Sequence, residues 1–316
     1  MIRQLVRIVA RFVGTVFVSS ILIFLALRVV PGDPAEIALG VNATPELLAK
    51  KRAELGTDRP LIVQYWDWFS SLITGDFGVS MSSSQNISPI IADRFQVSLI
   101  LVVTALILAV AIAVPLGMWA ALRARHVDGI LITAGSQVGI AIPSFLAAIL
   151  LVTVFAVHLG WLPANGWIPP GWDFGSFLSR LILPVLSLAA VQAAIITRYV
   201  RNSVLDILHD DFLRTARAKG QTRWQALLSD GLRNAALPVI TVTGVQLAGL
   251  VVGAVVIERV FSIPGLGAFL LDSVSNRDLP AVQAAVLVLV VFTLAINTLV
   301  DLSYAIIDPR VRRVRA

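Results

Sequence analysis

The sequence predicts an all-α membrane protein with six transmembrane helices. Hydrophobic residues make up 57% of the 316 residues and charged residues only 14%, whereas soluble domains carry roughly 25% charged residues. The apolar residues are gathered into runs long enough for membrane-spanning helices, which satisfy their own backbone hydrogen bonds in lipid. These two observations favour a helical bundle over a soluble domain or a β-barrel.

The first predicted helix covers about residues 9–30, and we treat residues 1–30 as a cytoplasmic N-terminus followed by this span. Arg3, Arg7 and Arg11 precede the apolar run, as they would in a signal peptide. The run is long, however, and no A-x-A-like cleavage site follows it. The pattern therefore predicts an uncleaved first span.

Residues 31–95 are predicted to form an extracytoplasmic segment between helices 1 and 2. The stretch ELLAKKRAEL at 46–55 predicts a short helix. An aromatic cluster predicts an interfacial helix, because such side chains favour the membrane–water boundary: Tyr65, Trp66, Trp68 and Phe69. The polar stretch SMSSSQNISP at 80–89 predicts a loop.

Residues 96–307 hold five further predicted spans, at about 96–122, 130–158, 180–200, 236–257 and 281–306. Pro115, Pro143 and Pro184 fall in or near three of them and predict kinks. The outer loop at 159–179 is typical of an aromatic belt, with substrate gating as the alternative. In the outer loop at 258–280, FSIPGLG breaks any helix and AFLLDSV predicts a short one.

The Lys and Arg residues predict the orientation. Six spans place both termini on one side, and most of the 25 basic residues fall in the segments on that side, including 201–235 and the basic tail at 308–316. Cytoplasmic loops carry such an excess, so both termini are predicted to be cytoplasmic. The net charge of +6 sits at the ends of apolar runs. This placement indicates the lipid bilayer, and no nucleic acid, as a partner.

The stretch Asp211–Pro238 is the one long polar segment between two apolar runs in the C-terminal half. It predicts two short helices joined at Gly220, which can take the left-handed conformation that ends a helix. Thr222 and Gln225 have the spacing of a capping box for the second helix.

The first of these helices predicts a docking surface for another protein. Phe212, Ala216 and Gly220 fall on one face at i, i+4 spacing, and Arg214 and Lys219 lie elsewhere around the helix. The alternative is that any cytoplasmic loop between two membrane helices is basic.

The sequence offers no catalytic residue and no metal site. Cysteine is absent, the three histidines are far apart, and no G-x-x-x-x-G-K-[ST] phosphate-binding loop occurs. We therefore expect no cofactor in this chain.

Mild polar residues inside the spans are candidates for lining a translocation path: Gln137, Gln192, Gln246 and Asn297. Amides would suit a neutral or zwitterionic polar solute. The alternative is that they hold helices together by hydrogen bonds. Ionisable residues are scarce in the spans, which argues against a stand-alone secondary carrier, the alternative from a different class.

Five blocks resemble the permease subunit of the dipeptide/oligopeptide and nickel group of ABC importers. They are RVVPGDPAE at 28–36, ELGTDRPLIVQYWDWFSSLITGDFGVSM at 54–81, DFLRTARAKG at 211–220 with LRNAALPVIT at 232–241, VIERVFSIPGLGAFLLDSVSNRDLPAVQA at 256–284, and DPRVR at 308–312. The PGDP block is similar to the first of the two permeases that such systems pair.

The resemblance implies a function and a set of partners. It implies import of di- or oligopeptides across a bacterial or archaeal cytoplasmic membrane, with nickel chelates or glutathione-like solutes as alternatives. The implied partners are a homologous second permease, an extracytoplasmic peptide-binding protein and two ABC ATPase subunits or domains that use ATP and Mg.

The resemblance also implies two sets of site residues. The helix at 211–220 would couple to the ATPases through Asp211, Phe212, Arg214, Thr215, Ala216, Lys219 and Gly220. The usual coupling glutamate is missing from TARA at 215–218. The last outer loop would dock the binding protein through Glu258, Phe261, Pro264, Gly265 and Asp278.

Overall fold

The structure, a computed structural model, describes residues 2–29, 33–40, 43–208 and 210–307. Its regular elements, in chain order, are all helical. They are α1 (Ile2–Val29), α2 (Pro34–Leu39), α3 (Pro45–Leu55), α4 (Leu61–Ile73), α5 (Ile87–Leu122), α6 (Val127–Ala141), α7 (Ser144–Leu151), α8 (Phe174–Ile207), α9 (Asp211–Ala218), α10 (Arg223–Ala226), α11 (Leu232–Val260), α12 (Leu266–Ser275) and α13 (Leu279–Ile307). Two π-helical stretches continue α7 and α10, at Val152–His158 and Leu227–Gly231.

Five of these helices are long and apolar enough to cross a membrane. The candidate spans are Leu5–Val29, Ile87–Leu122, Phe174–Ile207, Val239–Val260 and Leu279–Leu302, and the pair α6–α7 makes six if it counts as one span. The prediction of an all-α protein with six spans is confirmed on that count.

The third span is not the kinked helix that the sequence predicts. Helices α6 and α7 meet at an angle of 102°. The break lies at Ile142, whose backbone is extended with φ −87° and ψ 118°. A proline disfavours the helical region for the residue before it, and Pro143 follows directly. The apolar run at 130–158 is therefore a bent pair of helices.

The described chain divides into two compact units. The larger, which we call the bundle unit, comprises Ser98–Ile263 with short segments from both chain ends. Helix α8 is its centre and packs against α6, α7 and α11. Small side chains of α5 and α8 also pack together in a buried cluster, among them Ala109, Ala113, Ala189 and Ala193. Small residues let helix backbones approach closely in a membrane, where lipid supplies no hydrophobic drive for association.

The second unit, which we call the outer unit, comprises Val9–Val97 and Pro264–Leu294. Asp33 begins α2 by accepting a hydrogen bond from Ala35 N at 2.9 Å, and it also pairs with Arg52 of α3 at 2.7 Å. The PGDP aspartate therefore both caps one helix and ties it to the next. The rest of that motif, Pro31 and Gly32, lies outside the described residues.

The aromatic cluster of α4 packs against the first span. Tyr65 is buried, contacts the rings of Phe17 and Phe24, and exchanges a hydrogen bond of 2.9 Å with Ser20. Phe17 lies halfway along Leu5–Val29. Helix α4 is therefore fixed to α1 by side chains that reach the middle of the span.

Other local predictions in the outer segments hold with small changes. The short helix at 46–55 is α3, and the short helix within 258–280 is α12. The predicted loop at 80–89 ends sooner, because α5 already begins at Ile87. The predicted basic tail at 308–316 lies outside the described residues.

Candidate coupling hairpin and translocation path

The residues Asp211–Gly231, which we call the coupling hairpin, fold as the sequence predicts. Helix α9 follows Asp210, whose backbone is extended, and the chain reverses at Gly220 with φ +91°. Thr222 Oγ1 accepts from Gln225 N at 3.2 Å, and Gln225 Oε1 accepts from Thr222 N at 3.0 Å. This reciprocal pair is the predicted capping box, and it starts α10 in a fixed direction.

The hairpin has a small apolar core of its own, and the predicted docking ridge is partly inside it. Ala216 is only 6% exposed and packs with Leu213 and Ala226, and Phe212 is half-buried against this group. Gly220 is exposed. The ridge is therefore not a continuous free surface, because its apolar members pack with Ala226 of α10 and with the end of α8. Leu213, which the helical spacing from Phe212 left out, is a central member of the core.

The outward face of α9 is polar and accessible. Asp211, Arg214, Thr215 and Lys219 are all exposed. The guanidinium of Arg214 lies 3.7 Å from the carboxylate of Asp211, with the two side chains 76% and 98% exposed. An exposed pair of this kind adds little to stability. Arg214 can therefore exchange this neighbour for another carboxylate at little cost.

Two of the four path candidates come together in the bundle unit. Gln192 of α8 is buried, and its Oε1 has no hydrogen-bond partner within the described residues. Gln192 Nε2 and Gln246 Oε1 each lie 3.9 Å from the position that a side chain at Gly249 would occupy. Gly249 thus leaves room beside an amide pair. Gln137 and Asn297 are exposed on α6 and α13 and are not part of this pair.

The predicted docking residues of the last outer loop are mostly buried within this chain. Glu258, Phe261, Gly265 and Asp278 are buried, and Pro264 is half-buried. Glu258 is 1% exposed and accepts a hydrogen bond of 2.6 Å from Ser98 Oγ. The backbone carbonyl of Phe261 accepts from Gly166 N at 2.8 Å. These residues shape the loop from within, because the FSIPGLG break turns them inward.

Asp278 organises a hydrogen-bond cluster in the outer unit. Its carboxylate accepts from Ser80 Oγ, from Ser82 Oγ at 2.9 Å, and from the backbone N–H groups of Met81 at 3.2 Å and Ser82 at 3.3 Å. It also accepts from Ala281 N at 3.3 Å, as an N-cap of α13 does. Burial raises the pKa of Asp278, but the hydrogen bonds from Ser80, Met81 and Ser82 outweigh burial and hold the pKa below its ordinary value. An aspartate directly before a long apolar helix was the available sequence signal for this role.

Two family models match almost the whole chain. The model described as the inner membrane component of binding-protein-dependent transport systems matches residues 113–313, and the model of the N-terminal part of such membrane components matches residues 1–104. The chain belongs to this permease family. It is a multi-pass permease subunit of a peptide/nickel-type ABC importer, a transport component rather than an enzyme.

Permease proteins of glutathione transport systems match this chain over almost their full length. The glutathione transport system permease proteins GsiC of Escherichia coli strain K12 and of Salmonella typhi are each 39% identical over 313 residues, covering 99% of this chain and 99% of theirs. A crystal structure of an amino acid ABC transporter with histidines covers 68% of this chain and 92% of its own, with a TM-score of 0.49 and 18% identity.

Proposed function

We propose that this permease imports short peptides, including glutathione-like ones, together with a homologous second permease. The observation that carries the proposal is the 39% identity over 313 residues to permeases of glutathione transport systems. Glutathione is itself a tripeptide, so it falls within the di- and oligopeptide class that the sequence blocks imply. Nickel chelates are the alternative within the same group of importers.

The amide pair of Gln192 and Gln246 supports a peptide as the solute. A peptide bond offers one N–H donor and one carbonyl acceptor, and a glutamine side chain offers the same two groups. Neutral amides can replace the water around a peptide without the strong attraction that a buried charge would exert. We therefore place the path beside Gly249, because this residue carries no side chain and both amides lie 3.9 Å from the position that a Cβ would take there.

We assign the energy source to two ABC ATPase subunits or domains, which would use ATP and Mg on the cytoplasmic side. The coupling hairpin supports this assignment, because its own core keeps it rigid while its outward face is charged. Arg214 and Lys219 would bind acidic or polar groups of the ATPase, and Asp211 a basic one. ATP can drive this chain only if the ATP-bound and free states of the partner bind the hairpin differently.

We assign both termini to the cytoplasm, and we assign the short helices α2, α3, α4 and α12 to the opposite side, where an extracytoplasmic binding protein delivers the peptide. Since Glu258, Phe261, Gly265 and Asp278 are buried, we assign docking of the binding protein to exposed residues of the same segment. Leu271, Val274 and Arg277 on and after α12 are such residues.

Charge reversal in the coupling hairpin tests the proposal. We expect Arg214→Glu to lower peptide uptake and peptide-stimulated ATP hydrolysis about tenfold or more, because losing one hydrogen-bonded interfacial charge costs about 2 kcal/mol or more. The matched control is Arg125→Glu, an exposed arginine in a different predicted cytoplasmic loop. Equal activity of both reconstituted complexes would contradict the coupling assignment.

A further inference from the structure

The outer unit contains a small cavity to which no role has been given. Its volume is about 90 Å³, and its lining comes from the end of α1, the start of α2, the end of α3, one loop residue on each side of α4, and the first turn of α13. The polar residues of the lining are Arg28, Thr57 and Gln283. Such a volume is too small for a peptide, because pockets for whole small ligands measure about 300–1,000 Å³.

The polar groups of the cavity are mainly hydrogen-bond donors. Arg28 contributes its guanidinium, which lies 5.0 Å from the ring centre of Phe24. Stacking on a ring face leaves the N–H groups at the guanidinium edge available. Gln283 also lines the cavity, and its Nε2 is buried and has no hydrogen-bond partner within the described residues. A buried donor without an acceptor is costly, so the site calls for an acceptor from outside the chain.

The two carboxylates nearest in sequence are already engaged elsewhere. Asp33 precedes Pro34, but its oxygens accept from Ala35 N and Arg52. Asp278 precedes Leu279, but its oxygens accept from Ser80, Met81 and Ser82. None of the residues that line the cavity is acidic. The cavity therefore presents an arginine and an amide donor to an anion, with no acid of its own to neutralise them.

The position of the cavity indicates the source of the anion. Arg28 lies at the end of the first candidate span, Leu5–Val29, and Leu279 begins the last one, Leu279–Leu302. Both therefore lie at the level of the membrane surface, where phospholipid phosphates are concentrated. Leu27, Leu55, Met81 and Leu279 give the cavity apolar walls that suit the carbon atoms next to a phosphate.

We propose that this cavity binds the phosphate of a phospholipid head group, with Arg28 and Gln283 as the donors. Arginine pairs with phosphate through two parallel hydrogen bonds, which makes it well suited to this ligand. The lipid would fix the end of α1 to the start of α13 within the outer unit. The proposal rests on the proposed function only for placing this end of α1 at the extracytoplasmic face.

The test is lipid retention by the complete transporter complex, measured by native mass spectrometry with palmitoyl-oleoyl phosphatidylglycerol. We expect Arg28→Gln and Gln283→Leu each to bind the lipid about tenfold more weakly, since each variant removes a hydrogen bond to the charged phosphate. The control is Arg59→Gln, an exposed arginine of the same unit that pairs with Asp67 at 3.1 Å, and it should retain lipid like the unaltered complex.

Three results would overturn the proposal. Equal retention by all four complexes would show that the cavity does not hold the lipid. Displacement of the lipid by inorganic phosphate would assign the site to a soluble oxyanion. Displacement by glutathione or a dipeptide would assign it to the substrate. Retention is measured without ATP or transport, so its failure leaves the import function untouched, and a failure of import leaves the retention result standing.

Discussion

Asp278 shows how one buried acid can hold two segments of the outer unit together. It was predicted to meet the binding protein at the surface, yet it is only 2% exposed and accepts hydrogen bonds from the 80–82 stretch and from the start of α13. Each hydrogen bond to a charged group contributes about 1.5–3 kcal/mol to stability. A buried donor that is left without its acceptor loses this contribution and also lacks the hydrogen bond that water would give it.

We predict that Asp278→Asn loosens the loop that follows Ser80. The neutral amide keeps the shape but removes the charge that several donors share. The opening of residues 80–86, measured by amide hydrogen exchange, should become about tenfold more frequent, which corresponds to about 1.4 kcal/mol. The exposed Asp58→Asn serves as the control in the same unit, and equal exchange in both variants would refute the role of Asp278.

The same carboxylate gives the loop a defined dependence on pH. The folded-state pKa of Asp278 lies below its ordinary value of 3.8. The stabilisation is therefore complete above the ordinary value and fades as the pH falls through the lowered folded-state pKa. After division by the intrinsic exchange rate of an unprotected amide at each pH, exchange in the 80–86 loop should rise at the acid end in the unaltered protein. Asp278→Asn should remove that rise.

At the scale of single residues, the sequence predicts features that depend on local backbone geometry. It does not predict which polar side chains are buried by distant parts of the chain. Gly220 and the Thr222–Gln225 pair could be predicted because each follows from local geometry alone. The burial of Glu258 and Asp278 could not, because it depends on Ser98 and Ser80, which lie 160 and 198 residues away in the chain.

At the scale of elements, the coupling hairpin is a small folded unit rather than a bare basic loop. Its helices are too short to be stable alone, because helix nucleation is unfavourable and short helices depend on packing. The core of Leu213, Ala216 and Ala226, together with the capping box, supplies that packing. The charged face of α9 is thereby held in one orientation.

We predict that leucine substitutions at two nearby alanines of α9 differ in their effect on the stability of the coupling hairpin. Ala216 is buried in the hairpin core, whereas Ala218 is exposed. Ala216→Leu should overpack the core at a cost of about 1–3 kcal/mol, and Ala218→Leu should leave the hairpin folded. Limited proteolysis at Arg214 and Arg217 measures this difference. Equal protection of the two variants would contradict the placement of Ala216 in the core.

The bent pair α6–α7 marks the limit of prediction from apolar runs. Length and hydropathy identify residues 130–158 as one span, and Pro143 predicts a kink in it. Nothing local fixes the angle of 102°, since it depends on how α6 and α7 each pack against α8. The sequence therefore predicts an apolar helical element at residues 130–158, but it does not predict the angle between α6 and α7.

At the scale of the whole molecule, the fold class and the permease family were both within reach of the sequence. The long apolar runs decide the class, because a continuous apolar segment of this length satisfies its own backbone within lipid as a helix, whereas barrel strands are shorter. The division into a bundle unit and an outer unit was only partly foreseen. Pro264–Leu294 joins Val9–Val97 in one compact unit, although α13 belongs by hydropathy to the spans of the core.

The absence of cysteine makes the orientation directly testable. We predict that Lys219→Cys reacts with a membrane-impermeant maleimide only in inside-out vesicles, because the coupling hairpin is assigned to the cytoplasm. Ser275→Cys, which is exposed at the end of α12, should react only from the outside of intact cells. The reverse pattern would invert the topology, and labelling of both from one side would contradict the count of six spans.

The central claim is that this chain is a permease that moves peptide only when a partner hydrolyses ATP. The most direct measurement is uptake of labelled glutathione and dipeptides into liposomes that contain this chain and its sister permease, with the binding protein outside. We predict ATP-dependent uptake only when the two ATPases are present. Uptake that proceeds without the ATPases and follows a proton or sodium gradient would contradict it.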